Sequence, residues 1–341
     1  MELITACKEK VLKGTMLTRD EALLLAGEDT DTLAAAADEI RRQFCGNSFD
    51  LCTILSGKSG GCTEDCIYCA QSMHHAAAII PSPVTDISRH LPLIAENYSA
   101  GAVRCGIVTA GRTLTDEELT LLGKQYRLIH QACGIPFCAS HGLLTEQQLL
   151  YLKDAGVVRY HANLETSRRY FPRICTTHTY DDKIAVIKAA QRAGLAVCSG
   201  GIFGIGETMA DRIDMALELR ELGIRSIPIN ILNPIPETPL ADAVPLSLSE
   251  VKRIVALYRF LLPDAVIRLA GGRGLMPDRG RELFLSGANA AISGDMLTTA
   301  GVSLRDDQEM IRDSVLFWKR VVRDVWVDEK RNARKKNVVR A

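Results

Sequence analysis

The stretch Thr145-Glu146-Gln147-Gln148-Leu149-Leu150-Tyr151-Leu152-Lys153-Asp154-Ala155-Gly156-Val157-Val158-Arg159-Tyr160-His161-Ala162 holds one full unit of this chain's architecture. Thr145, with Gln148 three residues on, reads as a capping box and therefore as a helix start. The amphipathic run ends at Ala155 on Gly156, and glycine tolerates the left-handed conformation that closes a helix. A β-branched run, Val157–Ala162, follows at once and reads as a strand.

The same order recurs in both directions along the chain. Strands are expected at Cys52–Leu55, Ala102–Val108, Ile135–Ser140, Val157–Ala162, Ala196–Gly200, Ser226–Ile231, Val266–Leu269 and Ala290–Ile292. The helices between them span Thr85–Ser99, Thr115–Ala132, Thr145–Ala155, Tyr180–Ala193, Thr208–Leu222, Ser247–Leu262 and Asp278–Ser286. Strand–helix alternation implies a parallel sheet. Eight units predict an α/β fold, a (β/α)8 TIM-type barrel with extra N- and C-terminal helices; an open doubly wound sheet is the alternative. Residues 1–45 form a helical extension in which Asp31–Cys45 carries an apolar stripe. Residues 46–300 form the barrel, and 301–341 a helix (Asp306–Val327) and a basic tail containing Lys330, Arg331, Arg334, Lys335 and Lys336. The end helices read as lids or dimer contacts, so a homodimer is expected.

Composition narrows the function classes. Lysine plus arginine equal aspartate plus glutamate at 41 each, so the global charge gives no pull toward nucleic acid or membrane. No apolar run approaches the ~18–20 residues of a membrane span. The first residues lack a signal-peptide core, which with eleven cysteines predicts a reduced, cytoplasmic protein with metal or redox chemistry rather than a disulfide framework.

Cys62, Cys66 and Cys69 stand in Gly60-Gly61-Cys62-Thr63-Glu64-Asp65-Cys66-Ile67-Tyr68-Cys69, a C-x3-C-x2-C loop whose three thiolates can converge on one centre. A structural zinc site wants four protein ligands and is closed. A [4Fe–4S] cube held by three cysteines keeps one iron open for a small molecule. The loop resembles that of the radical S-adenosylmethionine (radical SAM) enzymes, in which an aromatic residue, here Tyr68, precedes the third cysteine. A zinc site is the remaining alternative.

The resemblance extends further. Ser56–Ser72 is similar to the cluster segment of the biotin synthase family, K-[ST]-G-x-C-x-E-x-C-x-Y-C-x-Q-S, with Glu64 and Gln71-Ser72 as its distinguishing flanks. Tyr160–Ser167, Val197–Thr208, Pro228–Leu232 with Thr238-Pro239-Leu240, and Ile267–Arg273 resemble the same family in order. The resemblance implies conversion of dethiobiotin to biotin by sulfur insertion. SAM, cleaved at the reduced cube, would give a 5′-deoxyadenosyl radical that abstracts hydrogen, and an auxiliary Fe–S cluster would donate the sulfur. It also implies an electron donor such as flavodoxin or ferredoxin.

Site residues follow by position. Asn163 and Glu165 stand at period two on one strand end, where the family has Asn and Asp touching SAM ribose and substrate; a buried cap pair is the alternative. Gly204 and Gly206 would bring backbone close to the cofactor, or merely make a tight turn. Asn230 corresponds to an asparagine that binds the substrate's ureido ring, with a structural turn as the other reading. His178 stands where the family has an arginine on the SAM carboxylate, and histidine is shorter and only partly charged.

The auxiliary cluster, [2Fe–2S] or [4Fe–4S] in type, would be held by three cysteines and an arginine: Cys138, Cys198 and Arg268 in place, and Cys105 one residue early. A one-residue slip turns a strand side chain to the opposite face, so either the strand bulges at Cys105 or the ligand set differs, with Cys52 or Cys175 as substitutes. Competing expectations are another radical SAM barrel enzyme, of mutase or hydrogenase-maturation type, and a non-catalytic Fe–S sensor.

Overall fold

The protein is described by a computed structural model over residues 1–77 and 79–313. Its strands are β1 (Asp50–Lys58), β2 (Arg104–Thr109), β3 (Phe137–Ser140), β4 (Val157–His161), β5 (Ala196–Cys198), β6 (Gly201–Phe203), β7 (Ser226–Ile231), β8 (Val266–Leu269) and β9 (Ala290–Ser293). Each runs parallel to its neighbour, β9 pairs back onto β1, and the sheet closes into a barrel. The stave expected at Ala196–Gly200 is divided: β5 and β6 both lean on β7. The break falls at Ser199-Gly200, where the Gly200 carbonyl accepts from Glu165 N at 3.1 Å and the Gly200 N–H donates to Asn163 Oδ1 at 3.1 Å. A Cβ on Gly200 would stand 2.0 Å from the Pro228 carbonyl oxygen, so only glycine fits this crossing.

The helices are α1 (Glu2–Leu12), α2 (Arg19–Leu25), α3 (Thr30–Cys45), α4 (Leu91–Ser99), α5 (Asp116–Cys133), α6 (Glu146–Asp154), α7 (Tyr180–Arg192), α8 (Met209–Glu221), α9 (Leu248–Leu261), α10 (Arg281–Phe284) and α11 (Leu304–Asp313). Thr115/Glu118 and Thr145/Gln148 form the expected capping boxes. Three more start α7, α8 and α9, each cap contributing about 1 kcal/mol. These boxes lock the exits of the βα loops that lead into α5 to α9, at the end of the barrel where such folds place their chemistry.

The sheet's outer face packs on the helices through residues such as Ile107, Phe137, Tyr126 and Ile129; the Tyr126 and Phe137 rings meet edge to face at 5.1 Å. Before β1 there are three helices. α3 lies on α9 and α2 on α8, fastened where the Arg253 guanidinium donates to the Ala26 and Glu28 carbonyls, each at 2.6 Å. At the other end α11 is pinned by Asp307, buried against Arg273 at 2.6 Å and Ser293 Oγ at 2.5 Å. The helix expected over Asp306–Val327 begins at Leu304; its part from 314 onward and the basic tail lie outside the described residues. Among the described residues no helix is long and apolar enough to cross a membrane.

Candidate active site in the barrel

The loop after β1 carries Cys62, Cys66 and Cys69, all partly buried. Its shape is set by backbone bonds and by the flanks noted in the sequence. Gln71 Oε1 accepts from Gly60 N at 3.1 Å, and Ser72 Oγ donates to the Glu64 carbonyl at 2.6 Å. A Cβ at Gly60, where φ is 65°, would meet Pro81 Cα at 2.9 Å, so this turn requires glycine. Asp65 ties the loop to the segment before α7, accepting from Thr176 N at 2.9 Å and Thr177 N at 3.2 Å. These bonds outweigh burial and hold its carboxyl well below the usual carboxylate range. Cys69 and Tyr68 face the barrel interior.

That interior is a cavity of about 310 Å³, the size of a small-ligand site. Asn163, Glu165 and Asn230 line its mouth. Glu165 is held in the left-handed region at φ 69°, a conformation costly for a side-chain-bearing residue. Its own N–H and carbonyl are clamped by Gly200 and Ile202. Burial raises its carboxyl pKa, opposed by the charge of Lys183, and its Oε2 is buried with no hydrogen-bond partner. A buried, unsatisfied carboxylate oxygen in a ligand-sized cavity fits a polar ligand with hydroxyl donors, as the SAM ribose has. Asn230 lines the cavity while Nδ2 donates to the Gly201 carbonyl and Oδ1 accepts from Gly271 N, each at 3.1 Å. One amide hydrogen and one lone pair remain.

Two groups of residues expected at the cofactor end stand apart from this cavity. Gly204 and Gly206 stand outside the cavity wall, packed against Leu246 and the Tyr170 hydroxyl; Glu207 instead uses the turn, accepting from Gly204 N at 3.0 Å and Ile205 N at 2.8 Å. His178 is also off the cavity. Its Nδ1 bonds Glu64 Oε2, and its ring lies edge-on to Phe171 at 5.5 Å.

Deeper in the barrel, Cys52, Cys138 and Cys198 line the cavity with Arg268 and Arg159. Cys105 does not. The β1–β2 register runs without a slip from Cys52↔Arg104 to Ser56↔Val108, and β2–β3 from Cys105↔Phe137 to Val108↔Ser140. With no bulge, Cys105 points to the helix layer; it is 1% exposed, and burial pushes its thiol up to about 12. Gly106 takes the inward place beside Cys138. Cys175 is also excluded from the interior: it lies beside Cys66 and His178.

Charge at the deep end is organised by Asp50, unnoticed in the sequence although two residues before Cys52. It pairs with Arg268 at 2.9 Å and with Arg104. Burial opposes its ionisation, yet Arg268, Arg104 and Arg159 hold it far below the carboxylate range. Burial drives the Cys138 thiol up to about 12. For Cys198 burial is outweighed by His161, its register partner on β4, and by Arg268, which bring it down to about 6. Arg159 and His161 continue the Asn163–Glu165 alternation two steps back, a signal the sequence carried. The set Cys52, Cys138, Cys198 and Arg268 offers sulfur donors in a cationic pocket inside the barrel, which fits an anionic iron–sulfur core.

A barrel of this kind with a three-cysteine loop over its mouth is the radical SAM arrangement, and residues 58–219 match the Radical SAM superfamily. Residues 228–315 match the Biotin and Thiamin Synthesis associated domain. The chain is 53% identical over 313 residues to a biotin synthase of Akkermansia muciniphila, covering 92% of this chain and 98% of that one. It is 51% identical to a biotin synthase of Clostridium botulinum, with the same coverage. It is 50% identical to biotin synthase 2 of Corynebacterium diphtheriae, over 89% of this chain and 92% of the relative. This chain belongs to the biotin synthase family. In fold it is similar to methylornithine synthase, with TM-score 0.77, 18% identity and coverage of 90% of this chain and 94% of that one. The hydrogenase maturase HydG of Carboxydothermus hydrogenoformans is similar too, with TM-score 0.76, 19% identity and coverage of 93% and 79%. At such identities these two share the barrel only.

Proposed function

We propose that this chain converts dethiobiotin to biotin, inserting sulfur between two unactivated carbons. Such C–H bonds have no acidity for a general base to exploit, so the hard step belongs to cofactors and the protein binds, orients and excludes water. When bound, the [4Fe–4S] cluster with SAM supplies a hydrogen-abstracting radical, and an auxiliary cluster supplies sulfur. Cys62, Cys66 and Cys69 hold the first cluster. Glu165 and Asn163 take the ribose and substrate polar groups, and Asn230 offers its remaining donor and acceptor to the ureido ring. Cys52, Cys138, Cys198 and Arg268 hold the auxiliary cluster, with Cys52 in the role that Cys105 is turned away from. Arg104 and Arg159 balance the thiolate charge, and Asp50 orients Arg268. A reductant such as flavodoxin or ferredoxin delivers the electron.

The observation that carries this reading is the meeting of two chemistries on one cavity: an unsatisfied Glu165 oxygen at its mouth and three thiols with Arg268 at its floor. The test is anaerobic reconstitution followed by turnover with SAM and a reductant. Release of 5′-deoxyadenosine and methionine that depends on dethiobiotin, with biotin formed, is expected. Release unaffected by dethiobiotin, with no biotin, refutes the proposal.

A further inference from the structure

Outside the barrel cavity one group of side chains lies close enough together to hold a metal ion, and of its members only Cys66 has a role above. Sγ of Cys66, Sγ of Cys175 and a ring nitrogen of His178 all lie within 4.8 Å of one another. Cys175 and His178 are 4% and 7% exposed. Cys175 Sγ stands 3.2 Å from His178 Nδ1, and the same nitrogen meets Oε2 of buried Glu64. Two segments create this convergence. Cys175 and His178 share one turn ahead of α7, and Asp65 binds that turn to the cysteine loop through the Thr176 and Thr177 amides, which brings Cys66 to it.

We propose that, while the loop carries no iron–sulfur cube, Cys66, Cys175 and His178 bind one divalent cation of the zinc class, with Glu64 as the neighbouring oxygen donor. Two sulfurs, an imidazole nitrogen and a carboxylate are zinc's habitual ligands, in tetrahedral geometry. Hard cations such as magnesium and calcium take oxygen and are refused by this set. Tetrahedral ligands at about 2.0–2.3 Å from one ion stand about 3.3–3.8 Å apart; Cys175 Sγ and His178 Nδ1 are 3.2 Å apart and all three atoms lie within 4.8 Å of one another. Cys62, Cys66 and Cys69 do not gather so tightly among the described residues. Cys66 cannot serve both centres, so zinc and cube exclude one another. That consequence rests on the cube assignment under the proposed function; the metal site itself does not.

Cobalt(II), which takes zinc's tetrahedral sites and reports thiolate ligation by its visible absorption, is the probe. Cluster-free, full-length protein with reduced thiols is titrated anaerobically. One equivalent displaced by zinc is expected to depend on Cys175 and His178: Cys175→Ser and His178→Ala each weaken it at least tenfold, whereas Cys69→Ser leaves it in place. The interior thiols can also take cobalt, so the readout is the difference between wild type and variant. Should Cys175→Ser fold poorly, Cys175→His retains a ligand and is expected to keep the ion with weaker sulfur charge-transfer absorption. Protein preloaded with zinc is expected to resist cube reconstitution, and Cys175→Ser to relieve that block. A spectrum and stoichiometry unchanged by Cys175→Ser and His178→Ala, or lost in Cys69→Ser, overturns the site. Failure of the zinc-free wild type to take up a cube counts against the proposed function and leaves the cobalt result standing.

Discussion

Exchanging the roles of Cys52 and Cys105 is the sharpest test of the interior geometry. Cys105→Ala removes one buried sulfur from the layer between β2 and α5, on the face turned away from the cavity. The loss resembles deletion of a methylene, about 0.8 kcal/mol of transfer, with a small cavity term added. A total of about 1 kcal/mol lowers Tm by about 2 °C in a chain of this size. Iron and sulfide content, and biotin formed per chain, are expected to stay at wild-type levels. Cys52→Ala removes a thiol that shares its surroundings with Arg268, Arg104 and Asp50. The auxiliary iron is expected to disappear, leaving that of the cube alone, and biotin formation with it. Iron and sulfide counting with Mössbauer spectroscopy reads both variants. The reasoning is refuted if Cys105→Ala loses the second cluster while Cys52→Ala keeps it.

Three further outcomes follow from single contacts. Glu165→Gly relieves a left-handed backbone, φ 69°, so stability is expected to rise by about 1 kcal/mol while SAM affinity falls at least tenfold; thermal melts and equilibrium dialysis on reconstituted protein measure the two. Asp50→Ala leaves Arg104 and Arg268 buried without their carboxylate, a loss of about 3–5 kcal/mol to be read from urea unfolding. His141 is fully buried between the Thr109 hydroxyl at 3.0 Å and the Tyr126 hydroxyl at 2.9 Å, and burial lowers its pKa from 6.5 to about 3. Between those values the unfolded chain binds the extra proton, so His141 costs stability as pH falls below about 6.5. His141→Gln is expected to flatten that acid limb of a stability–pH profile.

Much of the barrel was legible because its signals are local. Thr115 and Thr145 cap helices through residues three places on, and Gly134 closes α5 in a left-handed conformation with φ 71°. Neither needs a distant partner. The divided fifth stave was not legible, since Ser199-Gly200 breaks there for the sake of Asn163, Glu165 and Pro228, which lie on other staves. Arg159 and His161 were within reach, because they continue the inward alternation of Asn163 and Glu165. Asp50 was not, for its meaning depends on two arginines from β2 and β8.

From its residues alone this chain declared a parallel barrel, a three-thiolate loop and membership of a chemistry, since periodicity, caps and ligand spacing are written over a few neighbouring positions. Which cysteine faces inward was decided by a register that runs without a slip from Cys52 to Ser56 along β1 and β2, and on from β2 to β3. What His178 contacts was decided by a glutamate 114 residues away. A strand fixes only that neighbours alternate; the closing of the sheet determines which alternate set looks into the cavity.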